Sequence, residues 1–275
     1  MRFILRFFKR IYFFNAIRRI LSASRYFNKK YFQILQWGFT SNEYTNFTYY
    51  LTPGNVQYLA QTLAVVTNVD FTTIMNYIYE VESDEELKSA IISAINQSPE
   101  GRYADKEVRF GRRLGWYAMV RILKPKVVIE TGIDKGLGSI ILCAALLRNK
   151  KEGFDGRYYG TDINPKAGYL LSGKYKEVGE VLYGDSIESL KKFDKKIDLF
   201  INDSDHSEDY EYQEYCTIKD MLGDKAVILG DNAHCTTKLS EFSFETGRKF
   251  LLFHEEPLNF WYPGAAIGFS FKAEN

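Results

Sequence analysis

Three features of this 275-residue sequence predict an α/β fold with a doubly wound, mostly parallel sheet. The first is a short β-branched run over residues 127–129, followed by a glycine-rich turn and an apolar helix over residues 140–147. The second is a series of later apolar runs that end in acidic residues. The third is a pair of C-terminal strands without a helix between them, which indicates one antiparallel strand. Together these features are typical of a nucleotide-binding sheet.

The chain before the sheet is predicted to be helical. Apolar residues recur at helical spacing, and one segment begins with the acidic run Asp84-Glu85-Glu86, as the helix dipole favours. The predicted helices cover residues 56–67, 71–81, 84–96 and 111–123. We therefore expect a helical N-terminal extension over residues 1–105 and the α/β domain over residues 106–275.

Residues 1–30 form a basic and apolar head. They hold nine Lys or Arg residues and no acid, whereas the rest of the chain holds 27 basic and 35 acidic residues, a net charge of −8. Apolar residues at three- and four-residue intervals from Phe3 to Leu21 predict an amphipathic helix. Two interpretations stay open: a helix on an anionic membrane surface, or a helix packed on the domain or on a second subunit.

The composition limits the cellular compartments and the classes of binding partner that we expect. The charges in the head argue against a secretory signal and against a membrane span. The three cysteines, Cys143, Cys216 and Cys235, have no disulfide or zinc spacing, so we expect a cytoplasmic protein that is peripheral on the inner membrane face if the head binds lipid. An acidic main domain has the wrong sign for nucleic acid. A homodimer is left open.

The later strands place acidic side chains at one edge of the sheet. The predicted strands after the first cover residues 157–162, 180–183, 196–201, 225–230, 249–255 and 265–271. Acids follow or end four of the parallel strands, and the carboxyl ends of parallel strands share one edge. We therefore expect these acids to surround a bound ligand.

On these residues the chain resembles the class I S-adenosylmethionine-dependent methyltransferases, from about residue 110 to residue 272. The segment Glu130-x-Gly132-x-x-x-Gly136-x-Gly138 is similar to that family's first motif, and its spacing departs from the G-x-G-x-x-G of dinucleotide enzymes. The resemblance implies a Rossmann-like fold and S-adenosylmethionine as cofactor. The cofactor-binding residues that it implies are Glu130, Gly132, Gly136, Gly138, Asp162, Asp185 and Ser186.

A narrower resemblance is to metal-dependent O-methyltransferases such as the catechol and caffeoyl-CoA enzymes. It rests on Asn202-Asp203-Ser204-Asp205-His206 after one strand and on Asp231-Asn232 after the next. It implies that Asp203, Asp231 and Asn232 hold a divalent cation, with Asp205 close enough to exchange roles with Asp203. His206 is the candidate base, with Asp205 beside it in the catalytic set.

Elementary chemistry is consistent with this arrangement. Methyl transfer from a sulfonium needs an oxygen nucleophile held in line, and a hydroxyl is a poor nucleophile while it is protonated. Oxygen ligands suit magnesium, calcium or manganese, and we expect magnesium. A histidine can take up the proton near neutral pH.

We therefore expect an O-methyltransferase whose acceptor is a sugar, a glycan or a lipid-linked glycan. The aromatic segment 260–262 is a candidate surface for stacking on a sugar. The alternatives are a nucleotide-dependent oxidoreductase on a similar sheet, or a module that binds the cofactor or a membrane without catalysis.

Overall fold

The computed structural model describes residues 12–45 and 47–272, and its centre is a seven-stranded sheet. The strands are β1 (Val127–Thr131), β2 (Arg157–Asp162), β3 (Gly179–Tyr183), β4 (Ile197–Asn202), β5 (Leu222–Gly230), β6 (Lys249–His254) and β7 (Ala266–Phe271). Their order is β3-β2-β1-β4-β5-β7-β6, and β7 runs antiparallel to both β5 and β6. The predicted fold class, a mostly parallel sheet with one antiparallel strand, is confirmed.

Helices cover both faces of the sheet, so its central strands are apolar on both sides. Alternate residues of β1 illustrate this: Val128 belongs to one apolar core, whereas Val127 and Ile129 belong to the other. The helices of the α/β part are α5 (Arg113–Leu123), α6 (Leu137–Lys151), α7 (Ser186–Lys191), α8 (Glu208–Ile218) and α9 (Lys238–Glu245). Helices α5 and α6 contribute to the first core, and α7, α8 and α9 to the second.

Three further helices extend the first core: α2 (Pro53–Thr67), α3 (Phe71–Glu82) and α4 (Glu85–Gln97). Each begins at a side-chain cap, supplied by Thr52, Asp70 and Asp84. These caps satisfy N–H groups that have no partner within the helix. Leu59 and Ile78 are fully buried in the same core as Tyr117. The extension therefore packs directly on the α/β part, and the boundary at residue 105 stays a prediction.

The first described helix, α1 (Tyr12–Thr40), differs from all the others in its burial. It spans 29 residues, none of which is buried. It continues well past Leu21, because the apolar spacing that predicts it also persists in residues 27–39. Residues 1–11 of the predicted basic head lie outside the described part of the chain. Among the described residues, no helix is both long and apolar enough to cross a bilayer.

A cluster of aromatic rings attaches the end of α1 to the body. Trp37 lies 5.2 Å from the rings of both Phe47 and Trp261, and Lys30 Nζ donates a 2.7 Å hydrogen bond to the Phe260 carbonyl. Phe260 and Trp261 thus hold α1, and stacking of the aromatic segment 260–262 on a sugar stays a prediction.

Candidate active site

A cavity of about 620 Å³ opens at the carboxyl ends of β1 to β4. This is the position where parallel α/β sheets bind ligands. Its volume falls within the range of about 300–1,000 Å³ that is usual for small-molecule sites. The residues that line it include Thr48, Arg113, Gly132, Asp134, Asp162, Asp185, Ser186, Asp203, Asp205, His206 and Tyr210.

Gly132 forms the floor of this cavity where β1 ends. Its φ of +76° lies in the left-handed region, and a Cβ atom there would overlap the carbonyl of Asp203 and approach Ser204 Cα to 2.5 Å. Only glycine allows both the turn and the close approach of the two strand ends. The prediction that Gly132 borders the cofactor cavity agrees with this position.

The two other motif glycines do not line the cavity, and their role in cofactor binding stays a prediction. Gly136 precedes α6, and Gly138 lies within it against Glu130 and Trp116. A Cβ atom on Gly138 would overlap the Glu130 carboxylate and lie 2.7 Å from the Trp116 ring. Gly138 therefore allows α6 to pack closely on β1 and α5, whereas Gly136 allows a left-handed turn that passes close to Gly168.

Glu130 does not line the cavity either, and its predicted contact with the cofactor stays a prediction. It points into the core with 1% of its surface exposed, and its carboxylate accepts hydrogen bonds from Tyr158 Oη and from Ser139 Oγ, the latter at 3.2 Å. Burial raises the pKa of this carboxyl to about 7, although the Tyr158 hydroxyl acts in the opposite direction. Glu130 therefore fixes β1, β2 and α6 beneath the cavity. Sequence alone could not show this, because the side-chain direction depends on the pleat of β1.

Asp162 reaches the cavity from the end of β2. Its Oδ2 accepts a 2.9 Å hydrogen bond from the amide of Asp134, and its Oδ1 accepts a 2.8 Å bond from Asn164 N. These bonds hold the carboxylate in one orientation on the cavity wall. Asp162 is thus positioned as predicted for an acceptor of ribose hydroxyls.

Asp185 and Ser186 lie at the end of β3, on the same wall. Asp185 caps α7 through the amide of Glu188 at 2.9 Å and accepts a 3.0 Å bond from Tyr210 Oη. Ser186 Oγ donates to the buried carboxylate of Glu214. Both residues border the cavity, as predicted for the adenine end of the cofactor.

Glu214 is a buried residue that sequence reasoning missed. Its carboxylate also accepts hydrogen bonds from Thr131 at 3.2 Å, from Ser204 at 2.8 Å and from the Asn202 amide. Burial raises the pKa of this carboxyl to about 7. Glu214 therefore ties together the ends of β1, β3 and β4. A glutamate in a helix whose neighbours are tyrosines and acids gives no sequence signal for this role.

The acids after β4 and β5 meet next to the cavity. Backbone hydrogen bonds continue past both strands, from Asp203 N to Thr131 O at 2.9 Å and from Asp231 N to Asn202 O at 2.8 Å. Ligand atoms of Asp203, His206 and Asp231 all lie within 4.8 Å of one another. The predicted cluster thus forms at this sheet edge.

His206 and Asn232 complete the cluster. His206 Nε2 lies 3.0 Å from the Asn232 amide nitrogen and 3.8 Å from Asp203 Oδ1. His206 Nδ1 is buried and has no hydrogen-bond partner among the described residues. Asp205 lies further out, exposed on the cavity wall, where its Oδ1 accepts a 2.8 Å bond from Ser207 N. Asp205 therefore borders the cavity without joining the cluster.

Arg112, which precedes α5, is the second residue that sequence reasoning missed. Its guanidinium contacts both oxygens of Asp231, through Nε and through Nη2 at 2.6 Å, and lies 3.5 Å from Glu255 Oε1. A cation is disfavoured at a helix N-terminus. Two arginines, Arg112 and Arg113, at the start of an apolar helix are therefore unexpected. A buried guanidinium requires an acid nearby, so this pair was the signal in the sequence for a buried ion pair.

The cluster has an excess of negative charge. Burial opposes ionisation of Asp231, but the Arg112 guanidinium outweighs it and lowers the pKa of that carboxyl. Burial and the adjacent Asp231 raise the pKa of Asp203, and burial also raises that of Glu255 despite Arg112. The guanidiniums of Arg112 and Arg113 both favour ionised carboxylates here, so two cations face three carboxyl groups. Such a site favours binding of a further cation.

Comparisons with known proteins agree with this geometry. Residues 129–233, from β1 to just beyond β5, match a family described as a methyltransferase domain. A search of curated proteins finds no match.

Two similar solved structures illustrate the likeness of fold. One is the S-adenosylhomocysteine-bound methyltransferase PaMTH1 of Podospora anserina, which is 15% identical, with a TM-score of 0.50 and coverage of 69% of this chain and 88% of that chain. The other is the O-methyltransferase TomG of Streptomyces achromogenes, bound to S-adenosylmethionine and involved in tomaymycin synthesis; it is 15% identical, with a TM-score of 0.51 and coverage of 73% and 96%.

The family match and the position of the cavity together define the class. Residues 129–233 therefore form a methyltransferase domain, on a sheet with the Rossmann-like fold of the class I methyltransferases. The predicted methyltransferase class is confirmed, and the oxidoreductase alternative is set aside.

The packing of Gly138 gives a first prediction. Gly138→Ala should lower the free energy of unfolding by about 1–3 kcal/mol, because the added methyl group overlaps Glu130 and Trp116. Urea denaturation followed by circular dichroism measures the effect. Gly54→Ala in α2 is the control: no atom lies within 4 Å of its Cβ position, so its stability should be unchanged or higher. Equal effects of the two substitutions would refute the packing role.

The raised pKa of Glu130 gives a second prediction. Between its ordinary pKa of 4.5 and about 7, the folded protein binds more protons at Glu130 than the unfolded chain does. The stabilisation is therefore complete at low pH and is lost as the pH rises through 7, by at most about 1.4 kcal/mol per pH unit. Between pH 5 and pH 8 the stability advantage of wild type over Glu130→Gln should shrink. Glu180→Gln, on an exposed site, should show a constant difference, and a constant difference for both variants would contradict the assignment.

Proposed function

We propose that this protein transfers the methyl group of S-adenosylmethionine to a hydroxyl oxygen, with help from a divalent cation. The observation that carries the proposal is the acid cluster of Asp203, His206 and Asp231 at the side of the cofactor cavity. In the reaction the hydroxyl oxygen forms a bond to the methyl carbon while the carbon–sulfur bond breaks and its electron pair stays on sulfur. The hydroxyl proton must leave to a base.

The positions on the cavity wall support one orientation of the cofactor. Asp162 would accept hydrogen bonds from the ribose hydroxyls, and Asp185 and Ser186 would lie beside the adenine. The turn at Gly132 would face the methionine part, next to the amide of Asp134. The sulfonium would then lie towards Asp203 and His206, which line the same cavity.

The donor set of the acid cluster fits a divalent cation. Asp203, Asp231 and the amide oxygen of Asn232 are ligands that magnesium accepts, and the excess negative charge around Arg112 favours an added cation. A cation held there would lower the pKa of an acceptor hydroxyl and orient it. Arg112 would hold Asp231 in place from the opposite side.

His206 is the proposed base. Its imidazole borders the cavity, and the neighbouring Asp203 carboxylate at 3.8 Å would orient the ring. Asp205 is the weaker candidate because one of its oxygens is engaged by Ser207 N in a turn.

A sugar hydroxyl, free or in a lipid-linked glycan, is the proposed acceptor. The cavity wall next to the cluster is polar, with Thr48, Ser204 and Tyr210 able to exchange hydrogen bonds with several hydroxyls. The acidic surroundings disfavour an anionic acceptor. A screen of sugars and glycolipids for S-adenosylhomocysteine release tests this choice.

The cofactor site generates a third prediction. Isothermal titration should show micromolar binding of S-adenosylhomocysteine, with or without a chelator, because the cation serves the acceptor. Asp162→Ala should weaken this binding by about tenfold or more, since it removes a charged hydrogen-bond acceptor. Asp155→Asn, at an exposed position after α6, is the control and should bind as wild type does. Absence of binding by the wild type would overturn the proposed function.

The cation site generates a fourth prediction. Manganese, followed by electron paramagnetic resonance, should bind the wild type, and Asp203→Asn should weaken that binding at least about tenfold. Asp205→Asn, which changes a carboxylate outside the cluster, should leave it unchanged. Both variants should retain cofactor binding. If Asp203→Asn bound manganese normally, metal assistance at this cluster would be wrong.

His206→Gln separates a base from a ligand. If His206 is the base, the variant keeps manganese affinity, but the low-pH limb of its activity profile, which reports protonation of the imidazole, disappears. If His206 is a ligand, manganese affinity falls as well, and the assignment as base is refuted.

A further inference from the structure

Helix α1 presents its apolar side chains to solvent rather than to the body of the protein. Six large apolar residues along it are between 59% and 89% exposed: Phe13, Ile20, Leu21, Phe27, Phe32 and Phe39. No residue of α1 is buried. This is the reverse of an ordinary surface helix, whose apolar stripe faces the core.

These exposed residues share one side of the helix. At 100° per residue, these six side chains fall within an arc of about 140°. Lys30 and Trp37, which attach α1 to Phe260 and Trp261, lie on the opposite side. The body therefore holds the polar edge of α1 and leaves its apolar face accessible among the described residues.

The charge of α1 indicates what covers this face. Residues 12–40 contain five cations and no acid. The cations are Arg18, Arg19, Arg25, Lys29 and Lys30, and the first four are exposed. Arg18, Arg25 and Lys29 lie beside one edge of the apolar arc, where their side chains can reach the headgroup level of a lipid layer.

We propose that α1 lies in the interface of an anionic membrane, with its apolar face among the acyl chains and its cations at the lipid phosphates. Each Lys or Arg near such a surface adds to the attraction by the anionic lipids, and the aromatic side chains suit the interfacial region. The body then sits above the lipid on the polar edge of the helix. This binding does not depend on the methyl-transfer reaction.

A second copy of the chain fits the same face less well. Two α1 helices packed antiparallel through their apolar arcs would bring the cationic edge of each copy, with Arg18, Arg25 and Lys29, against the same edge of the other. No acid in residues 12–40 could pair with them, whereas helix pairs ordinarily place opposite charges at such edges.

Sedimentation of the full-length protein with vesicles tests the proposal. Wild type should bind vesicles that contain phosphatidylglycerol and should bind pure phosphatidylcholine at least about tenfold more weakly. The double variant Phe27→Ser/Phe32→Ser should lose about tenfold or more of the binding to anionic vesicles, because two exposed apolar side chains no longer enter the lipid. Phe244→Ser is the matched control, since Phe244 in α9 is 88% exposed, and it should bind as wild type does.

A charge variant and a measurement of mass complete the test. Arg18→Gln/Arg25→Gln/Lys29→Gln should lose the preference for anionic vesicles. Every variant should bind S-adenosylhomocysteine as wild type does, which shows that the domain is folded and separates this proposal from the methyltransferase assignment. The proposal is overturned if wild type does not bind anionic vesicles. It is also overturned if light scattering finds a dimer that Phe27→Ser/Phe32→Ser disperses while no variant changes vesicle binding.

Discussion

The contact on which the site depends is the buried ion pair between Arg112 and Asp231. Removing either partner would leave an uncompensated charge in the interior, so the pair fixes the start of α5 against the end of β5. Glu255, which follows β6, joins the same guanidinium at 3.5 Å. Three segments far apart in sequence are thereby held around one positive charge, and Asp203 is left as the acid that a single arginine does not neutralise.

Beneath this pair, buried polar groups replace part of an ordinary apolar core. Glu130 fastens β1 to β2 and α6 through Tyr158 and Ser139, and Glu214 joins the ends of β1, β3 and β4. Satisfied polar networks of this kind are costly to rearrange, because each lost hydrogen bond leaves a buried polar group without a partner. The cavity wall is consequently rigid where the cofactor and acceptor must meet, which suits a reaction that needs in-line alignment.

The sequence was sufficient for the sheet and for the strand-end acids, but not for the direction of individual side chains. Apolar runs and the turn residues between them determine where the strands lie. The parallel order of these strands brings Asp162, Asp185 and Asp203 to one edge of the sheet. Glu130 belongs to the same pattern yet points inward, where Tyr158 of β2 donates its hydroxyl to the carboxylate. The partner of Arg112 lies 119 positions away, and no local pattern reports a contact at that separation.

The loop between β6 and β7 links the acid cluster to α1. Glu255 at its start contacts Arg112, and Phe260 and Trp261 further along hold Lys30 and Trp37. Tyr49 packs against this loop, with its ring 5.5 Å from that of Phe260 and 6.0 Å from that of Tyr262. The same few residues thus position both the helix and one side of the ion pair. A surface that holds α1 would therefore also fix the orientation of the acid cluster relative to that surface. A fixed orientation matters more for an acceptor delivered from a lipid layer than for one that diffuses freely.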